Sequence, residues 1–251
     1  MQTVLITGCS TGFGLETARL FLERDWTVIA TMRDPAANTL PLSDRLRVLA
    51  LDVTDEASID AAVAQAGAID VLVNNAGIGW LNAAEVTSSE TVRRVFDTNT
   101  FGTMAMTRAV LPGMRERGSG VIVNVTSSTT LRALALLSAY TASKAAVNAF
   151  TASLAVELAS FGLRAHAVIA GQSGATAFAD NARERFEREG GFPAAYAGLV
   201  EAVFRQHAEL DPAQSTDPRD VAEAVWRAAS DPDCPGQLPA GRDAMAWAEG
   251  R

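Results

Sequence analysis

The 251-residue chain has only two cysteines, Cys9 and Cys234, far apart and in neither a CxxC nor a Cys/His spacing. This argues against a disulfide framework and offers no zinc-ligand pattern, so a reducing compartment and no metal are expected. His166 and His207, the two histidines, have no partnered carboxylate and read as structural or surface residues. Clusters of Lys and Arg are also missing. With 21 basic against 29 acidic side chains the net charge is −8, which speaks against a phosphate-backbone partner and hence against nucleic acid. No apolar run nears the roughly 20 residues of a membrane span, and a strand-like run at the third residue leaves no room for a signal peptide. A soluble, cytoplasmic protein with no membrane partner is expected. No linker, repeat or low-complexity tract divides the sequence, so one domain over residues 1–251 is expected.

What is present is a 48% hydrophobic chain whose short apolar runs alternate with longer amphipathic ones. The runs are "TVLI" (3–6), "TVIA" (27–30), "RVLAL" (47–51), "DVLV" (70–73), "GVIVNV" (120–125) and "RAHAVIA" (164–170). Their β-branched, nearly continuous hydrophobicity predicts strands buried on both faces, as in a parallel sheet covered by helices. The fold class is therefore α/β, a doubly wound, mostly parallel, Rossmann-type sheet. Helices are predicted to start near Gly12, Asp55, Ser88 and Ser138, with a later pair at about 180–206 and 217–230, the last opened by a capping Thr or Asp before Pro218. Residues 171–215 differ, carrying Phe178, Phe186, Phe192, Tyr196 and Phe204 between charges. They read as an amphipathic helical insertion at a strand's carboxyl end, where open α/β sheets place substrate-covering segments, or equally as a plain surface helix pair.

Two features carry chemistry. In "TGCSTGFG" (7–14), Gly8, Gly12 and Gly14 lead from a strand into a helix, a turn that brings backbone N–H groups and a positive helix end up to a pyrophosphate. In "SAYTASKAAVNAF" (138–150), Tyr140 and Lys144 stand one helical turn apart and so leave the same face. A phenol titrates near 10, and a cation within about 4–6 Å would lower that value. Taken alone, Asp52 and Asp55 could be helix caps, Asn99 a buried amide, and Ser127 and Ser128 strand-end serines.

The TGxxxGxG spacing, "LDVTD" (51–55), "NNAG" (74–77), Asn99 in "FDTNTFG", Ser127 in "NVTSS" and the YxxxK of Tyr140 and Lys144 together resemble the short-chain dehydrogenase/reductase family. The resemblance runs from Thr3 to about residue 180, and "ATMRD" is similar to its hydroxysteroid and retinol dehydrogenases. Ser127 lies thirteen residues before Tyr140, the family's interval, which selects it over Ser128. The resemblance implies a nicotinamide-dependent oxidoreductase in which Tyr140 exchanges the proton and Ser127 holds the substrate oxygen. Lys144 would bond the nicotinamide ribose and Asn99 would hold a water in the proton path. Cofactor contacts would come from Gly8, Ser10, Thr11, Gly12, Phe13, Gly14, Asp52, Val53, Asn75, Ala76, Gly77, Tyr140, Lys144 and Thr176.

Thr31 falls where NAD-preferring relatives carry an acid, and Arg33 follows, so NADP(H) is favoured over NAD(H). Asp34 could pair Arg33 instead. The family's Pro-Gly after the sixth strand is absent from "VIAGQSGAT", where its Gly aligns with either Gly171 or Gln172, and Thr130 stands where glycine is frequent. Trp80, Leu131, Leu134 and Phe178 are expected pocket walls for a bulky apolar ketone or alcohol. Helices around 90–117 and 138–160 would mediate a homodimer or homotetramer in the resembled family. A cofactor-binding regulator without turnover could dispense with Ser127, Tyr140 and Lys144; all three are kept.

Overall fold

The structure, a computed structural model, describes residues 2–174, 176, 178–208 and 215–250. The chain alternates β1 (Thr3–Ile6), α1 (Gly12–Glu23), β2 (Thr27–Met32), β3 (Leu46–Ala50), α2 (Glu56–Ala66) and β4 (Val71–Asn74). Next come α3 (Ser89–Phe96), a π-turn (Asp97–Phe101), α4 (Gly102–Arg117), β5 (Gly120–Ser127), α5 (Ser138–Ala159) and β6 (Leu163–Ala170). It ends with α6 (Phe178–Arg188), α7 (Ala197–Ala208), α8 (Pro218–Ser230), β7 (Gln237–Ala240) and α9 (Arg242–Ala248). Among the described residues the strands form one seven-stranded sheet, ordered β3-β2-β1-β4-β5-β6-β7 with every pairing parallel. The order reverses between β1 and β4, and the crevice at their carboxyl ends is where open α/β sheets take ligands.

Burial on both faces explains the apolar runs. In β1, Val4 and Ile6 face one side and Leu5 the other, all three fully buried. Val4 and Ile6 join Phe21, Val28, Val123 and Val225 in one core, which holds residues of α1 and α8. Leu5 joins Ile29, Leu72, Ile122, Met106 and Leu154 in a second, which holds residues of α4 and α5. Side-chain caps fix several helix starts: Asp55 accepts from Ala57 N–H at 3.0 Å, Ser88 from Thr91 N–H at 3.0 Å and Asp217 from Arg219 N–H at 2.8 Å. Of the two caps offered for the helix at Pro218, the structure uses Asp217.

Three expectations about elements need correction. β2 runs two residues past Ala30 to Met32. The single helix expected over 180–206 is two, α6 and α7, parted at Gly190 and Gly191, whose φ values of 98° and 72° are ones glycine reaches at little cost. β7 and α9 were not foreseen: "QLPA" is four residues long and contains Pro239, which is tolerated because β7 is an edge strand paired only with β6.

Candidate active site

The glycine turn is shaped by close approach. Gly8 has φ 74°, and a Cβ there would come 2.9 Å from Ala76 Cα, while a Cβ on Gly14 would overlap the Gly8 carbonyl and the Asn75 amide. Asn75 Nδ2 donates to the carbonyls of Thr7 (2.9 Å) and Gly8 (3.1 Å), and the N–H groups of Asn75 and Ala76 donate to Thr7 Oγ1 at 3.0 and 2.9 Å. The segment Asn75–Gly77 thus holds the turn open from below. Thr11 precedes α1 without a side-chain cap, and no acidic residue stands in its first turn. The leading N–H groups of α1 therefore remain available beside exposed Thr11 and half-buried Ser10, Gly12 and Phe13, a cradle suited to an anion. Thr176 closes over it, since a Cβ on Gly12 would meet the Thr176 side chain at 3.3 Å.

At the rim, Asp52 Oδ1 accepts from Thr54 N–H (2.9 Å) and Oγ1 (2.7 Å). These bonds, with a smaller contribution from the Arg33 charge, hold its carboxyl below the usual range. Val53 packs against Gly102, where a Cβ would come 2.9 Å from its side chain and carbonyl. Thr31, at the position where NAD-preferring relatives carry an acid, is fully buried, and its hydroxyl donates to the Ile6 carbonyl at 3.0 Å. Because β2 extends to Met32, the first exposed side chain beyond the strand is Arg33. Asp34 accepts from Ala36 N–H at 2.9 Å, capping the turn at Pro35–Ala37.

The catalytic candidates converge at the ends of β4 and β5. Ser127, the last residue of β5, lies close enough to the Tyr140 phenol to favour its ionised form. Its Oγ accepts from Thr129 N–H at 3.3 Å and Thr129 Oγ1 at 3.1 Å. Ser128, fully buried, has no side-chain bond to any described residue and lies outside this group. Lys144, the sole lysine of the chain, is 5% exposed and donates to the Val125 carbonyl at 3.0 Å. A Cβ on Gly77 would sit 3.3 Å from Lys144 Nζ and 3.2 Å from Asn99 Oδ1, so a side chain there would press on both.

Electrostatics revise the expectation that the cation lowers the phenol. Burial pushes Tyr140 up to about 12 against a smaller opposing effect of Ser127, and burial pulls Lys144 down to about 8. Burial thus favours the protonated phenol of Tyr140 and opposes the positive charge on Lys144. Asn99 is likewise more committed than expected. Its amide accepts from Ile78 N–H (2.8 Å) and donates to the Ile78 carbonyl (3.0 Å) and Ser143 Oγ (3.0 Å), while its carbonyl accepts from Thr103 Oγ1 (2.9 Å). The π-turn that carries it fastens the α3–α4 segment to Asn75–Ile78 on one side and, through Thr100 Oγ1 to the Ser143 carbonyl (2.9 Å), to α5 on the other.

Of the expected pocket walls, Phe178 lies against Tyr140 with ring centroids 5.7 Å apart. Leu131 and Leu134 are half-buried in the loop after β5. Trp80 is instead buried against Val95 and Phe186, its Nε1 donating to Thr87 Oγ1 at 3.0 Å. His166 is buried on β6 with Nδ1 3.0 Å from the Pro235 carbonyl; the His207 side chain lies outside the described ones, as do residues 175, 177 and 209–214 of the expected insertion. Sequence reasoning missed Thr216 and Asp243, which grip the loop after β6. Thr216 Oγ1 donates to Asp243 Oδ1 at 2.5 Å and Gln172 N–H to Asp243 Oδ2 at 2.7 Å. A glycine pair, Gly171 and Gly241, is the one sequence signal that could have marked this crowded spot. A groove of about 920 Å³ lies elsewhere, on the α4 and α5 face between Phe101, Leu111, Phe150 and Phe161. Among the described residues no helix is long and apolar enough to cross a membrane.

Residues 2–187 match the sequence model of the short chain dehydrogenase family. An uncharacterized oxidoreductase of Bacillus subtilis is 35% identical over 240 residues, covering 91% of this chain and 85% of its own. Human retinol dehydrogenase 8 is 40% identical over 173 residues, 64% of this chain and 56% of its own. Among solved structures, the closed form of serine dehydrogenase complexed with NADP+ superposes with a TM-score of 0.81 at 32% identity, covering 95% of this chain and 94% of its own. The 3-ketoacyl-(acyl-carrier-protein) reductase of Brucella melitensis complexed with NADH gives 0.80 at 29%, covering 96% and 97%.

Proposed function

Because the chain belongs to the short chain dehydrogenase family, we propose that it interconverts a ketone or aldehyde with its alcohol, using NADP(H) in preference to NAD(H). The observation that carries this reading is the convergence of buried Ser127, Tyr140 and Lys144 at the mouth of a glycine cradle that a Cβ on Gly14 would block. The residues fit the cofactor. Gly8 to Gly14 would hold its pyrophosphate, Arg33 a 2′-phosphate, Asp52 and Val53 the adenine, Asn75 to Gly77 the adenosine half, and Lys144 and Thr176 the nicotinamide half. When bound, the nicotinamide supplies or accepts the hydride.

The chain's own residues manage the oxygen. Ser127 Oγ holds the substrate oxygen as negative charge develops there, and Tyr140 gives its phenolic proton to that atom in reduction or takes it back in oxidation. A phenol pushed up to about 12 keeps its proton at neutral pH, which suits the reducing direction. Lys144 brings a positive charge beside the oxygen site, and the bonds of Asn99 to Ile78 and Ser143 fix the floor under it.

A bulky apolar substrate belongs to the same reading, supported by Phe178 over Tyr140 and by Leu131 and Leu134 in the loop beside Ser127. In it, residues 171–215 form the substrate cover of a one-domain enzyme. NADP+ and NADH both occur in the related structures, so the preference rests on Arg33 alone. A cytoplasmic homodimer or homotetramer is the expected form, the α4 and α5 groove with half-exposed Phe101 and Phe161 supporting self-association. The test is absorbance at the reduced nicotinamide band with a panel of aryl, alkyl and polycyclic ketones and each cofactor. Turnover with NADPH is expected; no turnover of any carbonyl with either cofactor would overturn the proposal.

A further inference from the structure

The loop after β6 has lost the proline that would stiffen it, yet Gln172 is bound through both of its backbone polar groups. Its N–H donates to Asp243 Oδ2 at 2.7 Å, and its carbonyl accepts from Thr216 N–H at 2.8 Å and Ser215 Oγ at 3.3 Å. The second Asp243 oxygen accepts from Thr216 Oγ1, a hydroxyl only 1% exposed. Space has been cleared for this group: a Cβ on Gly171 would overlap the Asp243 carboxylate and the Thr216 hydroxyl, and one on Gly241, whose φ is 96°, would overlap Thr216. Gly171 N–H in turn donates to the Ala240 carbonyl at 2.9 Å, and Gly174 N–H to Ser215 Oγ at 3.4 Å.

Asp243 stands one helical turn before Trp247 on α9, and the Trp247 ring lies 5.5 Å from the Arg132 guanidinium in the loop that follows Ser127. The short helix therefore touches both flanks of the candidate active site. Beyond Gln172 the loop reaches Thr176, which sits over Gly12. Thr176 Oγ1 donates to the Ser173 carbonyl at 3.4 Å, so contacts lead from the Asp243 carboxylate through Gln172 and its neighbour Ser173 to the glycine cradle.

We propose that Asp243 is a positioning residue of the active site: with Thr216 it clamps Gln172, doing by charge-assisted hydrogen bonds what a proline would do by covalent restraint, and so sets Thr176 against the nicotinamide side of the cradle. The inference rests on the function proposed above and deepens it. It assigns to α9 a part in cofactor binding.

The test compares wild type with Asp243→Ala, Asp243→Asn and Thr216→Val in two readouts. These are amide exchange at Gln172 and Gly174 in the cofactor-free protein, and the NADPH dissociation constant from nicotinamide fluorescence. Asp243→Ala strips the Gln172 N–H of its partner and should speed its exchange and weaken NADPH binding by about tenfold or more. Asp243→Asn can still accept from Gln172 N–H and should recover most of both. Thr216→Val leaves that bond in place and should give a smaller change in the same direction, about threefold, which keeps the test readable if Asp243→Ala does not fold. A purely structural role would lower the melting temperature of these variants without touching NADPH affinity, and that result would overturn the proposal. A wild-type protein that binds neither NADPH nor NADH would instead overturn the proposed function, whatever the exchange rates show.

Discussion

The rings of Tyr140 and Phe178 lie 5.7 Å apart, tilted by 57°, so that the first residue of α6 leans on the phenol. Phe178 also leaves no room for a Cβ on Gly79. At the far end of α6, Glu189 accepts from Thr91 Oγ1 at 2.6 Å and from Arg94 at 2.5 Å, and Asn82 Nδ2 donates to the Gly191 carbonyl at 3.3 Å. The helix is thus tied at one end by charge and rests at the other on the Tyr140 ring.

Phe178→Ala removes a ring from the side of the site that a substrate must share with Tyr140. Losing that apolar contact should raise KM for an aryl or polycyclic ketone by about tenfold, since burying a side chain of this size is worth about 1.5–3 kcal/mol. NADPH affinity should stay within about twofold. Steady-state kinetics with one bulky and one small ketone checks this, the small one being nearly unaffected.

Arg33→Ala should raise KM for NADPH by about tenfold or more and leave that for NADH unchanged, because a guanidinium pairs with a 2′-phosphate and with nothing that NADH carries at that position. Equal use of NADH and NADPH by the wild-type enzyme would remove the argument.

Lys144 titrates alone among lysines, so protein labelled only at the lysine ε-carbon gives a single curve whose midpoint is expected near 8 in the cofactor-free state. The folded value lies below the unfolded one, about 10.4, so between about pH 8 and 10.4 the unfolded chain binds the extra proton. Stability should accordingly rise with pH across that window, the penalty being complete below pH 8. The urea midpoint should climb from pH 7.5 to 9.5 in wild type more than in Lys144→Met. Tyr140 acts in the opposite sense: its raised value contributes stability below about pH 10 that is lost as pH climbs toward 12. A lysine midpoint near 10.5 would contradict the burial that the structure gives Lys144.

Most of the sheet was legible because burial on both faces leaves nearly continuous apolar, β-branched runs such as "TVLI" and "GVIVNV". The glycine turn and the Tyr140–Lys144 pair were legible because their partners lie within one turn or one strand-to-helix junction. What stayed hidden depends on distance along the chain or on a single residue of register. Two extra residues on β2 turn Thr31 inward and make Arg33 the first side chain outside. The π-turn at Asp97–Phe101 breaks helical periodicity without a proline or glycine to announce it, so the double bond of Asn99 to Ile78 could not be read off spacing. Asp243 meets partners 27 and 71 residues away, from a helix that follows a four-residue strand. The break at Gly190 and Gly191, by contrast, carried an ordinary turn signal followed by Pro193 and was open to a closer reading.

The central claim is that the Tyr140 phenol moves the proton, and Tyr140→Phe tests it with the loss of one oxygen atom from a ring that stays buried beside Phe178 and Lys144. Single-turnover reduction of a ketone by NADPH should slow by about a thousandfold or more, within the range of general acid catalysis, while the NADPH dissociation constant remains that of the wild type. Reduction at an unchanged rate by the variant would contradict the account.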